Sequence, residues 1–311
     1  MKKYDLSYLS EFNCISSRCK NTCCAGWEMQ IDPETLKNYK NNQTDYSSAL
    51  KSGVNFKKSK FKTDKNRRCA FLNKDGLCEI ISNLGEQSLC QVCRDHPRFR
   101  SFFDGVIETG LGFCCEEATR IILSTKSKIE KVLVSDDKHE NETCFIEQSI
   151  LEFREKVLDI IQDRNININQ RLQNLILFCH SSFCLKDFGK VVKLFLSFER
   201  LNKTWSNRLE SLRKTQLTLL TDESLSVYCE HFLVNSFYRH LYTAEDTISA
   251  RAITLAIIVC WWVVKSIYDS EKSVDDFSLV CDVVRSFSCE VEYSNENLNR
   301  LFAYFEKYIK I

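Results

Sequence analysis

From about residue 125 onward the apolar positions recur every three or four residues. Ile146, Ile150, Leu151, Phe153, Val157, Leu158 and Ile161 keep that spacing, with Glu and Arg between them, as an amphipathic helix requires. Leu172, Leu175, Ile176 and Phe178 continue it, as do Phe188, Val191, Val192, Leu194 and Phe195. The same spacing predicts helices over 204–219, 224–243, 248–269, 273–288 and 294–310. The longest apolar run, Ala252 to Val264, has 13 residues and is closed by Arg251 and Lys265. A bilayer crossing needs about 20, so the run reads as a buried core helix and no membrane association is expected.

The first part of the chain is less regular. Asp32-Pro33-Glu34 has the form of an N-cap followed by proline at the first helical position, which predicts a short helix to about Tyr39. Residues 41–68 are polar and basic and read as loop or weak hairpin. The polar stretch Ser135 to Thr143 is the natural linker. These patterns predict a mainly α protein with two parts. An irregular, cysteine-rich, metal-binding region over residues 1–125 packs on a helical domain over 126–311.

Composition sharpens this picture. Two prolines and eight glycines among 311 residues are too few for a fold built on many strands and turns. Lys and Arg (43) balance Asp and Glu (42), which argues against a general nucleic-acid binder. The segment Lys57–Arg68 holds seven basic residues against Asp64 but reads as a solvated loop. The two lysines near the N-terminus are followed by no apolar stretch, so no signal peptide is expected and the cytoplasm is the expected compartment. Thiols stay reduced there, so 17 cysteines point to metal ligands and free core thiols rather than disulfides.

Ten of those cysteines lie between Cys14 and Cys115. They are grouped as Cys14, Cys19, Cys23 and Cys24, then Cys69 and Cys78, then Cys90 and Cys93, then Cys114 and Cys115. Short spacings let neighbouring thiolates reach one centre, and distant groups close it in space. Adjacent cysteines rarely serve one centre together, so one of Cys23/Cys24 and one of Cys114/Cys115 is expected to ligate. Two zinc ions or one [4Fe–4S] cluster both suit the number of thiols. Cys179, His180 and Cys184, and Cys229 with His231, fall in helical apolar patterns and read as core residues.

The segments NCISSRCKNTCCAGWEMQID (13–32), RCAFLNKDGLCEIISNLGEQSLCQVCRDHPRF (68–99) and LGFCCEEATRIIL (111–123) resemble the flagellin lysine-N-methylase family. More loosely, YCEHFLVNSFYRHLY (228–242) and EVEYSNENLNRLF (290–302) are similar to its later blocks. The resemblance implies methyl transfer from S-adenosylmethionine to flagellin lysines, with an iron–sulfur cluster in the fold. It implies metal ligands among Cys14, Cys19, Cys23, Cys24, Cys69, Cys78, Cys93 and Cys115, with Cys90 and Cys114 less firmly held.

Cys19-x3-Cys23-Cys24 departs from the C-x3-C-x2-C of radical enzymes that use the same cofactor. No glycine-rich loop follows a strand, so a Rossmann-type methyltransferase is not expected. If the chain is such an enzyme, Arg94, His96 and Arg98 follow Cys93 directly and suit a cofactor carboxylate. Trp27 suits the wall of a cofactor or methyl pocket. Asp32, Glu116 and Glu117 are the carboxylates nearest the cysteine motifs, although Asp32 also reads as a helix cap. No catalytic residue stands out. The alternative is a zinc- or iron-binding protein with a structural or interaction role and no methyltransferase activity.

Overall fold

In a computed structural model the chain is described over residues 1–103, 105–136, 145–214, 223–272 and 276–310. It is mainly α and divides into two compact units. One is Asn13–Arg98; the other combines Met1–Phe12 with Phe99–Ile311. The division therefore differs from the expected boundary at residue 125. The helical unit claims both the first residues and the stretch around Cys114 and Cys115, because a sheet joins them.

The chain opens with β1 (Lys2–Leu6) and then enters the cysteine-rich unit. There α1 (Pro33–Lys40) starts as the sequence predicts, with the Asp32 side chain accepting from the Thr35 N–H at 2.9 Å. The expected loop over 41–68 instead contains α2 (Ser47–Gly53) and a two-residue ladder of β2 (Val54–Asn55) with β3 (Lys60–Phe61). Two short helices follow, α3 (Glu79–Leu84) and α4 (Gln91–Asp95). The apolar core of this unit is small. It gathers Met29, Ile31, Leu50, Phe61, Phe71 and Ile80 with a few neighbours, and two cysteines, Cys69 and Cys90, count among its buried members. A core of that size with helices this short ordinarily needs a cross-link or metal to hold it.

The helical unit begins with strands that the sequence reading missed. β4 (Arg98–Phe103) and β5 (Val106–Leu111) precede α5 (Glu116–Ser124), and β6 (Lys131–Asp136) follows it. The sheet order is β4-β5-β1-β6, with β1 parallel to β5 and antiparallel to β6. The expected linker begins inside β6, and its residues 137–143 lie outside the described part of the chain. The period-two signal was masked for a physical reason. Glu108 is a buried charge on β5, held bidentately by buried Arg154 at 2.6 and 2.7 Å. On the edge strand β6, Val132, Leu133 and Val134 are all exposed.

The remaining helices follow the predicted periodicity: α6 (Phe145–Ile161), α7 (Ile168–Phe178), α8 (Phe188–Leu196), α9 (Lys203–Ser211), α10 (Glu223–His240), α11 (Thr247–Glu271), α12 (Phe277–Phe287) and α13 (Asn295–Glu306). Residues 215–219 and 273–275 of two predicted helices are outside the described part. α11 begins with an Asp246–Ser249 capping box, and packs against α10, α12 and α13. With 25 residues it is, among the described residues, the one helix long and apolar enough to cross a membrane, yet most of it is buried within the unit. Each fully buried Ile, Leu or Val here contributes about 1.5–3 kcal/mol, which makes α11 the axis of the unit.

Candidate functional site

The first site is built from thiols. The Cys24 carbonyl accepts from the Cys69 N–H at 2.8 Å, which draws two distant segments side by side. Cys78 is the N-cap residue of α3, and the N–H groups of Ile80 and Ile81 reach its sulfur. Cys90 is the N-cap residue of α4, one helical turn from Cys93. Asp32 fixes that turn, since its second carboxylate oxygen accepts from the Gln91 N–H at 2.8 Å while the first caps α1. Burial raises the Asp32 pKa, but these backbone N–H groups outweigh it and leave the carboxyl below its usual range. The cap reading of Asp32 is the one realised.

The thiols act on one another. The Cys93 thiol donates to Cys90, which lowers the Cys90 pKa and raises that of Cys93. A hydrogen bond from Cys23, opposed by burial, brings Cys24 down to about 7. Burial pushes Cys69 up to about 12, and nearby Cys24, Cys78 and Cys90 add to the rise. Cys24, Cys69, Cys78, Cys90 and Cys93 thus form one electrostatic neighbourhood, in which ionising one thiol disfavours ionising the others. Among the described residues no three Cys, His, Asp or Glu side chains converge tightly enough to form a closed ligand shell. They are neighbours whose donor type fits a thiophilic metal, and the described cysteines form no disulfides with one another.

The other predicted ligands lie elsewhere. Cys14 and Cys19 flank a 3₁₀ turn over Ser16–Arg18; Cys14 is exposed and Cys19 half-buried. Cys115 caps α5 in the helical unit, beside Cys114. Burial raises Cys114 to about 12, and Cys289 lies against it, with its Sγ 3.8 Å from the Cys114 carbonyl. Cys289 went unread in the sequence because 174 intervening residues hide the pairing. Cys90, held less firmly from sequence, is fully buried in the middle of the thiol neighbourhood.

Trp27 and His96 meet, with ring centroids 6.2 Å apart, and the indole N–H donates to the Cys23 carbonyl at 2.7 Å. Arg94 turns back to the Leu89 carbonyl at 3.1 Å, while Arg98 stands at the end of the unit where β4 begins. Glu117 is engaged by Arg120 at 2.6 and 2.8 Å, and Glu116 occupies the first turn of α5. In the helical unit, the thiols of Cys179 and Cys229 are buried, and the His231 Nε2 lies 3.1 Å from the Ser127 carbonyl, as core residues should be. His180 and Cys184, by contrast, are exposed, because they lie beyond the end of α7 at Phe178, and the core reading does not hold for them.

The second site is a cavity of about 590 Å³ in the helical unit. Its floor includes Arg239 and His240 at the end of α10, Glu292 just before α13, and Phe302 on α13. His240 Nε2 lies 2.9 Å from Glu292 Oε1, Ser288 donates to the other carboxylate oxygen, and Arg239 stands 3.4 Å away. Burial raises the Glu292 pKa, but Arg239 and His240 reverse this and hold it at about 2. Sequence reading did not name these side chains, although blocks 228–242 and 290–302 carry all of them except Ser288. The available signal was the adjacent pair Arg239-His240 in the last turn of α10.

The fold and the thiol site define a class: a mainly helical protein with a separate cysteine-rich, metal-suited unit. Within known proteins, the chain is 26% identical over 126 residues to the flagellar biosynthetic protein FliU of Salmonella muenchen, covering 38% of this chain and 75% of that protein. It is 26% identical, again over 126 residues, to a lysine-N-methylase of Salmonella typhimurium, and 25% to one of Salmonella choleraesuis. The match spans 31% of the length of each lysine-N-methylase. Over that stretch the chain is a relative of these proteins, and the likeness to the flagellin lysine-N-methylase family holds. No family model matches the chain, and no solved structure does.

Proposed function

We propose that the chain is a protein-lysine N-methyltransferase that uses S-adenosylmethionine, acts on flagellin in the cytoplasm and carries a cysteine-ligated iron–sulfur cluster. The observation that carries this reading is the 126-residue likeness to proteins named lysine-N-methylase. The thiol neighbourhood supports the metal part. Cys24, Cys69, Cys78, Cys90 and Cys93 supply more than the four thiolates that a [4Fe–4S] cluster needs. Bound there, a cluster would tie four chain segments together across a small core and so contribute directly to folding.

Methyl transfer to lysine does not demand a radical. The amine must be neutral, so the protein has to offset a pKa of about 10.4 by desolvation or a base and align the amine with the sulfonium methyl. The departure of Cys19-x3-Cys23-Cys24 from radical-enzyme spacing favours this polar route. Anaerobically purified protein is expected to be brown and rich in iron. It should pass a trideuteromethyl group intact from labelled cofactor to flagellin lysines without added reductant. Colourless protein with stoichiometric zinc would overturn the iron assignment. A reductant requirement with release of deoxyadenosine would overturn the polar route, and no transfer to flagellin would leave a metal-stapled interaction protein.

A further inference from the structure

The cavity beside α10, α11 and α13 has no part in the thiol site, yet its construction specifies a ligand. At about 590 Å³ it falls within the range of pockets for small molecules and cofactors. Arg239 is only 11% exposed and lies between two rings, 4.5 Å from the Tyr293 centroid and 5.8 Å from that of Phe99. The Tyr293 side chain and Glu292 engage only part of its fork of donors. That carboxylate is already shared between His240 and Ser288, and the contact from Arg239 is a long 3.4 Å. A planar guanidinium clamped by aromatic faces and bordering a cavity is prepared to bind a carboxylate bidentately.

The rest of the lining carries charge of both signs. Glu245 and Glu306 line the cavity as exposed carboxylates, with half-buried Arg100 and the amides of Asn295 and Asn299. Burial keeps His240 below its ordinary pKa, so the charged lining is two guanidinium groups, Arg239 and Arg100, beside three carboxylates, Glu245, Glu292 and Glu306. A polyphosphate would face three carboxylates, and a bare ammonium would face both arginines. A zwitterion satisfies both ends, and Phe99, Phe302 and Tyr242 supply flat apolar surface for an attached ring. We infer that this cavity binds S-adenosylmethionine, with its methionine carboxylate on Arg239 and its amino and sulfonium charges toward Glu245 and Glu306. The inference rests on the methyltransferase reading and assigns its donor site to the helical unit, away from Arg94, His96 and Arg98.

The test is calorimetric titration of the full chain with S-adenosylhomocysteine and with methylthioadenosine, which lacks the amino-acid end. Flagellin methylation is followed in parallel. Ala303 is exposed on α13 at the cavity edge, so Ala303→Trp should obstruct the cavity while leaving the melting temperature unchanged. Both ligands are then expected to bind about tenfold more weakly or worse. Arg239→Gln should weaken S-adenosylhomocysteine by about tenfold and leave methylthioadenosine nearly unaffected, since only the former presents a carboxylate. If Ala303→Trp binds S-adenosylhomocysteine as well as the parent chain does, this site is wrong, and persisting flagellin methylation would leave the methyltransferase reading standing. If the parent chain neither binds the nucleosides nor methylates flagellin, both fall together.

Discussion

His240 and His231 are buried imidazoles whose pKa values lie below the ordinary 6.5, chiefly through desolvation, even though Glu292 and Glu230 pull them upward. In the unfolded chain both take up protons as pH falls through 6.5. Their contribution to stability is therefore complete above that value and is lost as pH drops toward their folded values. Glu292 adds a second, more acidic loss, from its unfolded value down to about 2. Melting temperatures measured between about pH 8 and about pH 5 should decline toward acid, and His240→Gln should flatten that decline. A parallel decline in both chains would refute the role of His240. Such residues were hard to read in advance. A lone histidine in an apolar helix has the same local pattern whether it is a spectator or is bonded to a carboxylate 52 positions away.

Local signals carried most of the helices, because periodicity and caps are properties of neighbouring residues. Asp32-Pro33 is the clearest case, but the sequence could not reveal that the same carboxylate also caps α4. Asp32→Ala should therefore cost more than one ordinary cap, about 2 kcal/mol by denaturant titration. It should also lower metal content, since α4 positions Cys90 and Cys93; full metal retention would contradict that link. The short elements over 41–68 were invisible for a related reason, their specification being tertiary. A Cβ on Gly53 at the end of α2 would stand 2.4 Å from the ring of Phe71, which is itself buried. Gly53→Ala should thus destabilise the cysteine-rich unit by about 1–3 kcal/mol, read as a lower denaturant midpoint. The strands were missed because a buried ion pair and an exposed apolar edge broke the alternation on which strand reading depends.

Across the whole molecule the cysteines fall into populations with different work. Replacing Cys24, Cys69, Cys78, Cys90 or Cys93 by Ser should lower metal content or yield insoluble protein. The same change at Cys179, Cys229, Cys260 or Cys281, which are buried in the helical unit, should leave metal content intact. Metal loss from the second set would refute this division. The chain order adds a consequence for synthesis. β1 emerges from the ribosome before its partners, since its parallel partner β5 begins at Val106 and its antiparallel partner β6 at Lys131. Between them the whole cysteine-rich unit must be translated, so β1 waits with both edges unpaired while the thiols that follow it become available. If the unit folds on the metal proposed for it, a nascent chain starved of metal would have to join β1 to β5 across a long unstructured tether, which raises the entropic cost of closure and lengthens the interval in which a bare strand can pair with a neighbouring polysome product. On the proposed metal-bound reading, metal supply during translation, rather than afterwards, should therefore set the soluble yield of the helical unit.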